Sequence, residues 1–162
     1  DDGKVKKIGA YKENLEWYQN HSSLVVPKAV EAYLIHNIPL KEFISNHKEK
    51  FDFMISLKSH RDSKIVLEKT LGLSKEYQEL QSTIRYYISR DGDPLKKVMP
   101  AIKSSSENRI IGINVGYNVS ICNDIANFSF VNLNYDYYIK EAQKLIDPIF
   151  QKKQQSLFDF IS

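Results

Sequence analysis

The spacing of apolar residues changes along this chain, and each change predicts an element. In "LVVPKAVEAYLIHN", Ala29, Val30, Tyr33 and Leu34 fall at i, i+1, i+4 and i+5, one face of a helix. Pro27 suits its start and Asn37 its end. "IPLKEFISNH" repeats the plan with Pro39, Leu40, Phe43 and Ile44, so two helices follow each other across a very short connection. The period then shortens. Ile55 with Leu57, and Ile65 with Leu67, predict strands on either side of the polar stretch from Lys58 to Lys64. "LSKEYQELQS" reads either as a short helix capped by Ser74 or as a polar loop. Thr83 to Ser89 is dense in aromatic and β-branched residues, and "DGD" follows it, which predicts a hairpin over "STIRYYISRDGDPLKKVMP". "IKSSSEN" is a loop. "RIIGINVGYNVSI" predicts one or two short strands with Gly112 and Gly116 at bends or close approaches.

The helical period returns at the end. Tyr138, Ile139, Ala142, Leu145, Ile146 and Ile149 mark one face, Asn134 is placed to cap the helix, and Pro148 is expected to stop it nearby. At the start, "GKVKKIGAY" reads as a strand of imperfect alternation. The order predicts an α+β fold, with helices at both ends and a small β-rich hairpin region between them.

Composition sharpens this modestly. Of 162 residues, 42% are hydrophobic and 27% charged, a globular balance, and the formal charge is +3. A single cysteine, Cys122, excludes a disulfide framework and points to a reducing, cytoplasmic setting. The sequence has no apolar run near the ~20 residues that a bilayer span requires, so no membrane partner is expected. "DDGKVKK" is not a signal peptide and lacks a start methionine, which suggests an excised or processed piece.

Candidate chemistry is sparse. His21, His36, His47 and His60 show no ligand spacing among themselves or with Cys122, so no metal site is expected. "HRD" at 60–62 lacks the asparagine and the glycine-rich loop of a kinase. No catalytic residues are assigned. Cations are more informative. Lys4, Lys6, Lys7 and Lys12 cluster on the first strand. Lys58, Arg61 and Lys64 share the polar connector. Arg85, Arg90, Lys96 and Lys97 surround the expected hairpin. Spaced cations of this kind suit nucleic-acid phosphates, and a solvated surface is the other reading.

The succession "DDGKVKKIGAY", "LVVPKAVEAYLIHNIPLKEFISN", a basic connector, "NRIIGINVGYNVSICND" and "NLNYDYYIKEAQKLIDPIF" resembles the C-terminal palm end and thumb of family-B DNA polymerases. "YYISRDGDPLKKVMP" is most similar to the bacteriophage members. The closing helix opens with Asn134-Tyr135-Asp136-Tyr137-Tyr138-Ile139, similar to the family's Asp-Tyr-x-Tyr-Tyr-Ile. The resemblance covers nearly the whole chain. It implies a palm-like strand region over 1–18, a thumb-like domain over 19–150 and a tail over 151–162.

The resemblance also implies a function. The thumb grips primer–template duplex through phosphates, with Lys58, Arg61 and Lys64 first among the contacts. Arg85, Arg90, Lys96 and Lys97 come second, with Lys6 and Lys7 on the palm-like strand. The family's catalytic carboxylates, of the "DTDS" kind, are absent here, so any divalent metal belongs to palm motifs outside these residues. The ending "QKKQQSLFDFIS" is similar to peptides that dock on sliding clamps. Gln154, Leu157 and Phe160 fit one clamp pattern, with Ile161 for its last aromatic. Gln154, Ser156, Leu157 and Phe158 fit the bacterial one. A tail packed on its own domain is the other reading. The alternative for the whole chain is an adaptor without a polymerase parent, docking on a clamp or another partner.

Overall fold

The computed structural model describes residues 23–60, 62–101 and 107–161, with side chains described as far as Pro148. The chain divides into two compact units. One is Asp1–Phe53 with Tyr135–Ser162, the other Met54–Asn134. The strand expected over 3–11 lies outside the described residues.

The first unit is helical. Helix α1 is Val25–His36 and α2 is Leu40–Asn46. A 3-10 turn covers Lys50–Phe53, and α3 is Tyr135–Ile161. Asn37 ends α1 in the left-handed conformation, φ 57, and its N–H returns to the Tyr33 carbonyl. Asparagine tolerates that conformation better than most side chains. Pro39 then opens α2 with an extended backbone. The three helices pack on one another. Val25, Val26, Ala29, Val30, Ile44, Phe53, Tyr138 and Ala142 are wholly buried. The Tyr138 ring stands edge-on to Phe53 at 5.2 Å, and its hydroxyl donates to the Phe53 carbonyl at 2.7 Å.

Asp52 is buried in this unit, and one oxygen, Oδ2, takes both of its partners. Lys28 Nζ donates at 2.7 Å and His47 Nε2 lies at 2.6 Å. His47 stacks on Phe43. Burial pushes the Asp52 carboxyl up, but the hydrogen bonds and charges of Lys28 and His47 outweigh it and hold the group below its ordinary value.

Pro148 does not stop α3, which continues to Ile161. A proline costs a helix one hydrogen bond and some steric strain. The residues after it, rich in Gln and Lys, favour resuming the same pattern.

The second unit is β. Its strands are β1 (Ile55–Lys58), β2 (Lys64–Leu71), β3 (Ser74–Glu79), β4 (Thr83–Ser89), β5 (Leu95–Met99), β6 (Arg109–Ile113) and β7 (Asn118–Ile121). They form two antiparallel sheets, ordered β1-β4-β7 and β3-β2-β5-β6. The fold is therefore α+β, with helices at both ends of the described chain. The β region is larger than one hairpin.

Two local expectations fail here. First, β4 and β5 do not pair. Ile84, Tyr86 and Ile88 bury one face of β4, and Tyr87 and Ser89 are buried on the other. The strand takes the central place in its sheet, between β1 and β7. The turn after it then carries the chain into the other sheet. A Cβ on Gly92 would overlap the Val119 carbonyl oxygen, so only glycine lets the turn cross β7 this closely. Asp93 and Val119 exchange backbone hydrogen bonds at 3.0 and 2.8 Å. Pro94 follows, and Leu95 pairs with Leu67 and Ile113.

Second, "SKEYQE" is a strand rather than helix or loop. All six residues are exposed, so no apolar alternation marked it. It pairs with β2 through a two-residue turn, Gly72-Leu73. Gly72 sits at φ 62, and Leu73 is not in the left-handed region. This is the Gly-X hairpin turn, whose twist matches that of the strands it joins.

Candidate nucleic-acid interface

The strand registers decide which cations share a surface. In the three-stranded sheet, Ser56 lies opposite Arg85 and Lys58 opposite Thr83. Directly opposed residues point to the same side of a sheet. The other side carries Ile55, Leu57, Ile84 and Tyr86 toward the core. The polar side therefore presents Lys58 and Arg85 on one diagonal, with the hydroxyls of Ser56 and Thr83 on the other. All four are exposed, and the set contains no carboxylate. Further along the same side, Tyr87 is covered by Phe128 at 4.6 Å and donates to Asn132 Oδ1 at 2.9 Å. The open part of the face is thus the end formed by β1 and the start of β4. Asn123 accepts from the Arg85 backbone N–H at 2.9 Å and steadies that end.

Lys64 and Lys96 are elsewhere. They are diagonal neighbours on one side of the four-stranded sheet, where Lys96 and Glu79 both oppose Val66. Their charges are partly met by acids. Lys64 lies 3.8 Å from Glu79, and Lys96 is 3.8 Å from Glu68, which Lys75 also approaches at 3.5 Å. Lys97 opposes Ile65 and Ile111, on the reverse side of the same sheet. Arg90 braces the fold. Its guanidinium donates to the Val131 carbonyl, and its N–H donates to the Asn132 carbonyl at 2.8 Å.

Two groupings expected from sequence are therefore rearranged. Lys58 ends one sheet and Lys64 opens the other, so neighbours in sequence are separated. Arg85 and Lys96, expected around one hairpin, belong to different sheets. Arg61, Lys6 and Lys7 lie outside the described residues, as do the side chains of Gln154, Leu157, Phe158, Phe160 and Ile161. Ser56 and Thr83 were not singled out by sequence, because isolated hydroxyl residues carry no signal until pairing sets them beside cations.

Other chemistry is limited. Among the described residues, no three His, Cys, Asp or Glu side chains are grouped to hold a metal ion. An open cavity of about 420 Å³ lies in the β unit, with Leu67, Lys69, Gln78, Asp93, Ser120 and Asn132 in its lining. Lys69 and Asp93 bond each other across it at 2.5 Å. Burial pushes the Tyr86 phenol up to about 12, against a smaller opposite effect from Asn114, whose amide donates to the phenol oxygen at 2.8 Å. No described helix is long and apolar enough to cross a membrane. No protein-family model, curated protein or solved structure matches the chain.

Proposed function

We propose that the chain is a duplex-DNA-gripping module of the thumb type found in family-B DNA polymerases. The observation that carries this reading is the exposed face of Lys58, Arg85, Ser56 and Thr83. Two cations with two hydroxyls between them, and no acid in the set, suit consecutive phosphates of one strand. Such contacts position a duplex without reading its bases. Lys64, Lys96 and Lys75 add weaker attraction, since acids already share their charge. The order of segments, from the paired N-terminal helices to "NYDYYI" on α3, supports the polymerase parentage. The module supplies grip. Phosphoryl transfer and its divalent metal belong to the palm motifs that the resemblance implies. The C-terminal residues Gln154, Leu157, Phe158, Phe160 and Ile161 serve as a sliding-clamp tether in this reading.

The test is the salt dependence of binding to a primer–template duplex. Replacing Lys58 and Arg85 together by Ala is expected to lower the slope of log K against log salt by about 2, near 0.9 for each phosphate no longer neutralised. An unchanged slope and affinity in a folded double variant overturns the reading. Deleting residues 152–162 is expected to abolish clamp binding and to leave the duplex slope unchanged.

A further inference from the structure

The two edges of the four-stranded sheet are built differently. Strand β3, at one edge, carries Lys75, Glu76 and Glu79 and is exposed throughout. Charges of this kind keep a strand edge from pairing with other chains. Strand β6, at the other edge, reads Arg109-Ile110-Ile111-Gly112-Ile113 and has its one charge at its end. Ile110 is 49% exposed and Ile111 46%, and successive residues of a strand point to opposite faces. Val115, 81% exposed, lies over Gly112, with its Cγ2 2.9 Å from where a Cβ would stand. The apolar surface therefore wraps both faces of one strand edge.

The backbone of this edge is open as well. The Glu68 N–H donates to the Pro94 carbonyl, so the even-numbered residues of β2 and β5 turn their polar groups toward each other. The odd-numbered residues of β5 then face β6, which makes Lys97 and Ile111 a hydrogen-bonded pair. By the same alternation, the N–H and C=O groups of Ile110 and Gly112 point outward, away from β5. Among the described residues, β5 is the one strand beside β6.

We propose that β6 pairs antiparallel with β6 of a second copy of this chain, about a two-fold axis through Ile111. This register sets Ile110 of each copy opposite Gly112 of the other, and so pairs every outward N–H and C=O group of both residues. A shift of two residues either way leaves Ile110 or Gly112 opposite a residue beyond the strand. The side chains agree. Ile110 meets a glycine, where no side chain opposes it, and packs on Val115. On the other face Ile111 meets itself. The charges fit a second copy too. Lys97 lies one strand in from the edge, so the two copies hold it three strand spacings apart, about 14 Å at ~4.8 Å each. The two Arg109 stand four residue steps apart along the strands, about 13 Å. Both separations exceed the screening length of about 8 Å at physiological salt. Such a pair closes on itself and grows no further. Five residues a side make a small interface, so the dimer exchanges with monomer.

The experiment is sedimentation velocity of the whole chain, without nucleic acid, from about 10 μM to about 1 mM, the span of weak association. The expected result is a monomer–dimer equilibrium with no larger species. Ile111→Lys sets like charges directly opposite and is expected to weaken the dimer about 10-fold. Mixing it with Ile111→Glu is expected to restore association, which also shows that both variants fold. The register is tested with cysteines. Ile111→Cys brings two Cα atoms to about 4.5 Å at the axis, within disulfide reach, while Arg109→Cys holds them far beyond it. With oxidised glutathione accepting the two electrons and two protons that the thiols give up, the first is expected to cross-link and the second not. Cys122 is wholly buried and takes no part. A monomer at every concentration overturns the proposal, and so does equal association of Ile111→Lys. So do failure of the Lys and Glu variants to associate when mixed and equal cross-linking at 109. Growth into larger species assigns the edge to an open chain of copies and overturns the closed pair.

Discussion

Replacing Asp52 by Asn tests what holds the helical unit together. The side chain is 6% exposed, and Oδ2 accepts from Lys28 at 2.7 Å and from His47 at 2.6 Å. Asparagine keeps the shape, so packing changes little. What goes is the negative charge shared by both partners. Hydrogen bonds to a charged group contribute about 1.5–3 kcal/mol each. The Lys28 bond is discounted because that side chain is 49% exposed and can turn to water. His47 is 14% exposed and has no such escape. The expected loss is therefore about 2 kcal/mol at pH 7, a fall in Tm of roughly 4–8 °C at 2–4 °C per kcal/mol for a chain of this size.

The pH dependence carries the sign. The folded carboxyl is held below its ordinary value of 3.8. A lowered carboxyl contributes stability above its unfolded pKa, and that stability is lost as pH falls through the folded value. Parent and variant should therefore differ most above pH ~5 and converge as the solution is made more acid. Thermal melts followed by circular dichroism across that range provide the measurement. Equal melting at neutral pH, or a gap that persists unchanged in strong acid, refutes the argument that charge is what Asp52 provides.

Three further outcomes follow from single residues. Gly92→Ala drives a Cβ against the Val119 carbonyl and the Ser89 hydroxyl. Overpacking costs about 1–3 kcal/mol, and because backbone must move here the loss in a urea melt should reach or exceed that range. Tyr138→Phe removes the 2.7 Å bond to the Phe53 carbonyl, so a loss of about 0.5–1.5 kcal/mol is expected by the same assay. No loss would mean that this bond adds nothing to the packing of the ring. The Tyr86 phenol, pushed up to about 12, favours its protonated form in the fold. Its contribution is present below the unfolded value near ~10 and is lost as pH rises through the folded value. An absorbance titration of the tyrosinates should lose a late component in Tyr86→Phe.

The candidate site was legible only in pieces. Lys58 and Arg85 both stand out in the sequence as cations near strands. Nothing local says that they share a surface, because that depends on Ser56 opposing Arg85 across the ladder. Lys64 and Lys96 look as available as Lys58 until Glu79 and Glu68 are found beside them. The β2–β3 hairpin was also half visible. "LGLS" contains the turn residue, but the polar strand after it has no alternation to reveal it.

By itself the sequence determined the elements whose signal is local. The i, i+4 faces and the residues Asn37 and Pro39 set α1 and α2, and the apolar face from Tyr138 to Ile149 set α3. Dense β-branched and aromatic residues set β4. Tertiary structure decided everything that depends on partners. It sent β4 and β5 into different sheets, because β4 fills its ladder with β1 and β7 and the Gly92 turn can cross β7. It turned "SKEYQE" into an edge strand, because backbone pairing with β2 suffices where side chains give no preference. It carried α3 through Pro148, because one missing hydrogen bond is outweighed by the helix-favouring residues beyond it. Periodicity records what a residue does along its own element, while register and crossing record what distant residues do to each other, and only the folded chain contains those distances.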